Sequence, residues 1–171
     1  TGVQTCALPI SNQTVKDITI NAGASLTINA GITLSVCGNF TNNGTINCIA
    51  GSTVQFIGGL NQSINGTFLA ALNNFANLTV AKSGGTLTFN TNIYARGNFS
   101  ITGPNGIVNA NGKNLEVGGN FYNYNGTTSF TGHGAGALGS TLTFTRRSGA
   151  NQLFQNDGFN LDRKSTRLNS S

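Results

Sequence analysis

The residues able to carry acid–base chemistry are few and far apart. Outside the first and last ten positions the carboxylates are Asp17, Glu116 and Asp157, and His133 is the one histidine of the chain. Hydrolases and lyases need two carboxylates facing one bond, or carboxylates holding calcium beside a basic partner. Here the carboxylates stand 99 and 41 residues apart, which places them on different coils of the repeat described below. Asp17 and Glu116 read as outward, solubilising positions. Asp157, in Asn156-Asp157-Gly158, reads as a turn residue. His133 lies among glycines with no cysteine or second histidine beside it, which makes a poor metal ligand or triad member. The same glycines lack the Lys-Ser/Thr tail of a phosphate loop. No catalytic residue, metal ligand or cofactor is expected, and the chain is read as a non-enzyme.

Two cysteines belong to the repeat. Alternation through Leu34-Ser35-Val36-Cys37 turns Cys37 outward, whereas Cys48 shares the inward side with Ile46. Opposed directions argue against a disulfide, and Cys48 reads as a small core residue. A metal site would want more ligands at ordered spacing. Asn-x-Ser/Thr matches such as those at Asn39, Asn43, Asn65, Asn77, Asn98 and Asn125 follow from composition alone.

The best candidate contact surface is Phe121-Tyr122-Asn123-Tyr124-Asn125. If Phe121 points inward, Tyr122 and Tyr124 project together from the opposite face. Aromatic rings among asparagines can stack on sugars and hydrogen-bond to their hydroxyls. Tyr122, Tyr124 and Asn123 are therefore the candidate ligand-binding residues. Ordinary strand-surface tyrosines give the same pattern. A basic surface for nucleic acid needs clustered Lys and Arg among aromatic platforms. Outside the first and last ten positions the one basic pair, Arg146-Arg147, reads as a solvated strand end, and no nucleic-acid partner is expected.

The elements that position these residues are legible from composition. Residues 11–161 hold 25 Asn, 19 Thr and 23 Gly, but one Glu, three Lys and no Met. Thr suits pleated strands, while Gly and Asn mark turns, so an all-β chain with many tight turns is expected. No apolar run approaches the length of a transmembrane helix.

Both ends of the chain stand apart from this pattern. Thr1–Ile10 back-translates as ACT GGA GTT CAG ACG TGT GCT CTT CCG ATC. Its reverse complement, GAT CGG AAG AGC ACA CGT CTG AAC TCC AGT, encodes Asp-Arg-Lys-Ser-Thr-Arg-Leu-Asn-Ser-Ser, which is residues 162–171 in frame. No folding principle asks for such a relation. The DNA resembles a short-read library adapter ligated to both ends of an insert, and such segments carry no information about a fold. Residues 11–161 are thus expected to be an internal fragment of a larger protein. They carry six basic and three acidic side chains, a net +3 rather than the +5 of the whole chain.

Within that fragment a short beat opens the chain. Ile18-Thr19-Ile20, Leu26-Thr27-Ile28 and Leu34-Ser35-Val36 are apolar-polar-apolar triplets at steps of eight residues, separated by Asn-Ala-Gly. Three such sides make one coil of 22–24 residues. A longer beat of 22 relates Leu34, Phe56 and Leu78, then Ile93 and Leu115, then Phe99 and Phe121. One coil cannot bury its own inner face, but stacked coils share a continuous apolar column and form parallel sheets. Asn at equivalent turns can hydrogen-bond along such a stack. Excursions from the coil are expected near 61–77, as a loop or short helix around Phe68–Leu72, and near 131–140.

The runs VKDITINAGASLTINAGITLSVCGNFTNNGTINCIAGSTVQFIG and FANLTVAKSGGTLTFNTNIYARGNFSITG resemble repeat regions of large secreted surface proteins of Bacteroidetes-type bacteria. Those regions resemble the parallel β-helices of filamentous haemagglutinins and autotransporter passengers. The resemblance spans nearly all of 11–160. It implies a right-handed parallel β-helix and a structural or adhesive stalk segment at the bacterial cell surface, and it brings no catalytic residues. The partners it implies are glycans or a host or matrix surface, together with neighbouring coils. Two further readings stay open: a carbohydrate-binding or carbohydrate-processing β-helix module, and an ice-binding solenoid. The second needs flat Thr arrays. Thr19 and Thr41, and Thr45 and Thr67, stand 22 apart, but both columns then fail.

Overall fold

The computed structural model describes residues 5–7, 11–68, 73–125, 129–132, 140–145 and 153–156. Among them every regular element is a strand, and every strand pairing is parallel. The strands wind as a β-solenoid with three faces.

The first face is a seven-stranded sheet. In stacking order it comprises β2 (Gln13–Val15), β5 (Thr33–Val36), β8 (Thr53–Gly58), β10 (Asn77–Lys82), β13 (Phe99–Ile101), β16 (Phe121–Asn123) and β19 (Phe154–Asn156). The second is a six-stranded sheet of β3 (Ile18–Ile20), β6 (Phe40–Asn42), β9 (Gln62–Gly66), β11 (Thr86–Phe89), β14 (Ile107–Asn109) and β17 (Phe130–Thr131). The third face is split into two three-stranded sheets. One holds β1 (Thr5–Ala7), β4 (Ser25–Ile28) and β7 (Thr45–Cys48); the other holds β12 (Ile93–Ala95), β15 (Leu115–Val117) and β18 (Leu142–Phe144). Single bridges from Asn47 to Asn74 and from Phe75 to Ala95 span the gap between them. β1 pairs with the outer edge of β4, and such an edge accepts any extended segment through backbone groups alone.

Strand alternation supplies the core. Leu34, Val54, Leu78, Phe99 and Phe121 stand in one inward column, with Phe154 at its end. The rings of Phe99, Phe121 and Phe154 stack successively, with centroids 5.3 and 5.1 Å apart. Val36, Phe56, Val80 and Ile101 form the column beside it. The register corrects one detail of the 22-residue beat. Leu34 is level with Val54 and not with Phe56, because the coil there is 20 residues long and the next is 24. The mean is 22, so the periodicity shows in the sequence while single assignments slip by two residues, to the next inward position. The pairs Ile93–Leu115, Phe99–Phe121 and Thr19–Thr41 are in register as expected.

The first excursion is narrower than 61–77. β9 lies inside that range and stays paired with β6 and β11, because Gln62 and Ile64 keep the inward alternation. β9 ends at Gly66 and bridging resumes by Asn74, and residues 69–72 lie outside the described set. The excursion contributes to the core: Phe68 and Phe75 pack on each other and on Phe40. Gly66 begins it with φ +95°, and a Cβ there would collide with the carbonyl of Asn42 in the coil below. Of the second excursion, 133–139 lie outside the described residues.

The corners are tied by asparagine. Asn77 Oδ1 accepts the Asn98 N–H (2.9 Å), Asn98 Oδ1 the Asn120 N–H (2.8 Å), and Asn120 Oδ1 the Leu153 N–H (2.9 Å). A second corner runs from Asn92 to Asn114 to Thr141 in the same way. At a third, Asp17 Oδ1 accepts from Asn39, whose own Oδ1 accepts the Ser63 N–H. Each side chain thus satisfies a backbone donor of the next coil, where the chain turns and the sheet ladder is interrupted.

Candidate functional site

The first face carries the candidate surface. Phe121 is buried in the column just described, so Tyr122 and Tyr124 emerge on the other side, as alternation requires. Their ring planes are parallel to within 5°, with centroids 5.9 Å apart. Tyr124 is 47% exposed and Tyr122 half-buried. Asn120 Nδ2 donates to the Tyr122 hydroxyl at 2.8 Å, which fixes the phenol and leaves its own O–H able to donate outward.

Asn123 does not belong to this surface. It is 1% exposed and points into the coil. Its Oδ1 accepts from the Ser129 hydroxyl (2.6 Å) and from the Asn125 N–H (3.1 Å), holding the turn that leaves β16. The alternation that lifts both tyrosines outward turns the residue between them inward. Asn120, two positions before Tyr122, takes its place on the outer face.

The other residues weighed for chemistry stay apart. Asp17 is exposed and serves the corner ladder; Glu116 is half-buried on β15, in register with Tyr94 and Thr143. Cys37 is exposed, Cys48 is buried, and both are free thiols. Burial raises the Cys48 pKa to about 11, against weaker lowering by the neighbouring polar groups of Ala76 and Ser52 and by the charge of Arg96. Such a thiol is held protonated and unreactive. Arg96 donates to the Cys48 carbonyl and so ties the two halves of the split third face. Among the glycosylation-like motifs, those at Asn39, Asn77 and Asn98 have their side chains engaged in corner ladders. His133, Asp157 and Arg146-Arg147 lie outside the described residues. Among the described residues no group of three His, Cys, Asp or Glu gathers in metal-binding geometry.

One functional group escapes a reading by charge count. Lys82 is 0% exposed. It closes the inward series Leu78, Val80, Lys82 on β10, at the corner where the first face meets the second. Gly58 in the coil below is its register partner, and Gly103 packs against its backbone from above, so glycines flank it on both sides. Its Nζ donates to the Leu60 carbonyl (2.7 Å) and to Gln62 Oε1 (2.5 Å). Gln62 Nε2 passes the chain on to the carbonyls of Val36 (3.0 Å) and Gly38 (2.7 Å). This polar string crosses three coils inside the corner, and burial lowers the Lys82 pKa. The alternation in Asn77–Lys82 was the available signal.

A cavity of about 340 Å³ opens at the end of the stack nearest residue 11. Its wall is mainly Val15, Ile18, Ile20, Leu26 and Leu34, which is the interior of the first coil seen end-on. No helix among the described residues is long and apolar enough to cross a membrane. Comparison with known protein families, with curated proteins and with solved structures finds no match.

Proposed function

We propose that residues 11–161 are a non-catalytic structural or adhesive segment of a secreted bacterial surface protein, one stretch of a longer coil array. On this reading residues 1–10 and 162–171 derive from adapter DNA. The observation that carries the proposal is the coil stack itself: parallel sheets whose corners are stitched by asparagine from one coil to the next. Such a quasi-one-dimensional array extends by repetition and presents long faces to its surroundings. The resemblance of its repeats to secreted adhesin-like proteins supplies the cell-surface setting. The low charge and dispersed carboxylates suit contact better than turnover.

The parallel tyrosine rings favour a second reading, a carbohydrate-binding module. One experiment separates the classes. The purified chain is incubated with a panel of polysaccharides, and both retention and release of reducing ends are measured. Retention or surface attachment without new reducing ends is the expected result. Steady release of reducing ends would make the chain an enzyme and end the structural reading.

A further inference from the structure

We infer that the outer side of the first face, centred on Tyr122 and Tyr124, binds a neutral polysaccharide lying along the stack. The inference rests on the adhesive reading and names its ligand class. Three observations support it. The two phenol rings are parallel and reachable from solvent, so their faces can take the C–H faces of sugar rings. Tyr122 is held by Asn120 with its O–H available to a sugar hydroxyl.

The row through Tyr122 continues along the stack. Gln55, Thr79 and Ser100 precede it and Gln155 follows, each directly in register with the next. Adjacent strands are about 4.8 Å apart, so a hydrogen-bonding side chain recurs at every such step. A polymer can use that recurrence and a single sugar cannot. From β8 to β19 the described outward positions on this face are Thr, Gln, Ile, Asn, Ala, Ser and Tyr, none of them charged. An anionic polymer would need paired cations here, so the chemistry selects a neutral one.

The test is affinity electrophoresis of the full chain through gels containing a soluble neutral β-glucan, a galactomannan or polygalacturonate. Retardation by at least one neutral polymer and not by polygalacturonate is expected. Tyr122→Ala with Tyr124→Ala should weaken it by roughly tenfold or more, and Tyr122→Phe with Tyr124→Phe should retain most of it. Circular dichroism of each variant confirms the fold, and Tyr124→Ala alone serves if the double variant unfolds. No retardation by either neutral polymer, retardation by polygalacturonate alone, or retardation indifferent to loss of the rings would overturn the inference. If the alanine variant still attaches to surfaces, the adhesive reading stands and this site falls.

Discussion

Replacing Asn98 by alanine isolates what one rung of a corner ladder contributes. The Asn98 side chain accepts the Asn120 N–H at 2.8 Å, while its own N–H donates to Asn77 one coil below. Truncation leaves the second bond and removes the first, so one backbone donor at a turn loses its partner. A fully buried orphan donor costs about 1–3 kcal/mol, and this corner is half-open to water, so about 1–2 kcal/mol is expected. In a chain of this size that lowers the melting temperature by about 2–8 °C. Asn98→Asp is the rescue, because it keeps an oxygen in place; Asp17 already accepts the Asn39 N–H in this way at 2.7 Å. Asn43→Ala is the control, since that side chain is exposed. Urea unfolding followed by circular dichroism reads all three. Equal stability of Asn98→Ala and Asn43→Ala would mean that these asparagines are merely turn formers, and the ladder argument would fail.

Three further outcomes test the interior. Burial holds Lys82 below its usual pKa, so folding disfavours the ammonium; stability should rise with pH from the folded pKa towards about 10.4, by at most about 1.4 kcal/mol per unit, and Lys82→Met should flatten that rise. Cys48 has the opposite sign. Its folded pKa is raised from 9.0 to about 11, so the unfolded thiol ionises first; stability should fall by about 2–3 kcal/mol between pH 9 and 11, and Cys48→Ala should abolish the fall. Because the two ranges overlap, urea titrations of Lys82→Met are best made in the Cys48→Ala background. Gly66→Ala forces a side chain into φ +95° and against the Asn42 carbonyl, and should cost at least about 2 kcal/mol. At Gly23, φ +79° but with open space around it, alanine should cost only about 1 kcal/mol, and equal losses would refute the steric account.

The coil was legible because its signal is local and repeated. Triplets such as Leu26-Thr27-Ile28 declare both strand and inward face, and three of them declare a coil. Register was less legible. Coil length varies between 20 and 25 residues around β7–β11, so an average beat cannot say that Val54, and not Phe56, lies above Leu34. Alternation placed the tyrosines correctly and, followed strictly, excludes Asn123 from their surface. Lys82 was obscured for another reason: a lysine reads as solvent-facing by default, and only its position after Leu78 and Val80 contradicts that. The hydrogen bonds that make its burial tolerable come from Leu60 and Gln62, about one coil earlier, where no local pattern points to them.

The most direct test of the whole account is to sequence the source DNA across this locus with long reads. We expect codons for 1–10 and 162–171 to be absent, and further coils of 20–25 residues to flank Ser11 and Leu161 in the reading frame of an exported surface protein. Finding those terminal codons contiguous with the rest of the gene, or a domain with clustered carboxylates or metal ligands abutting the coils, would contradict it.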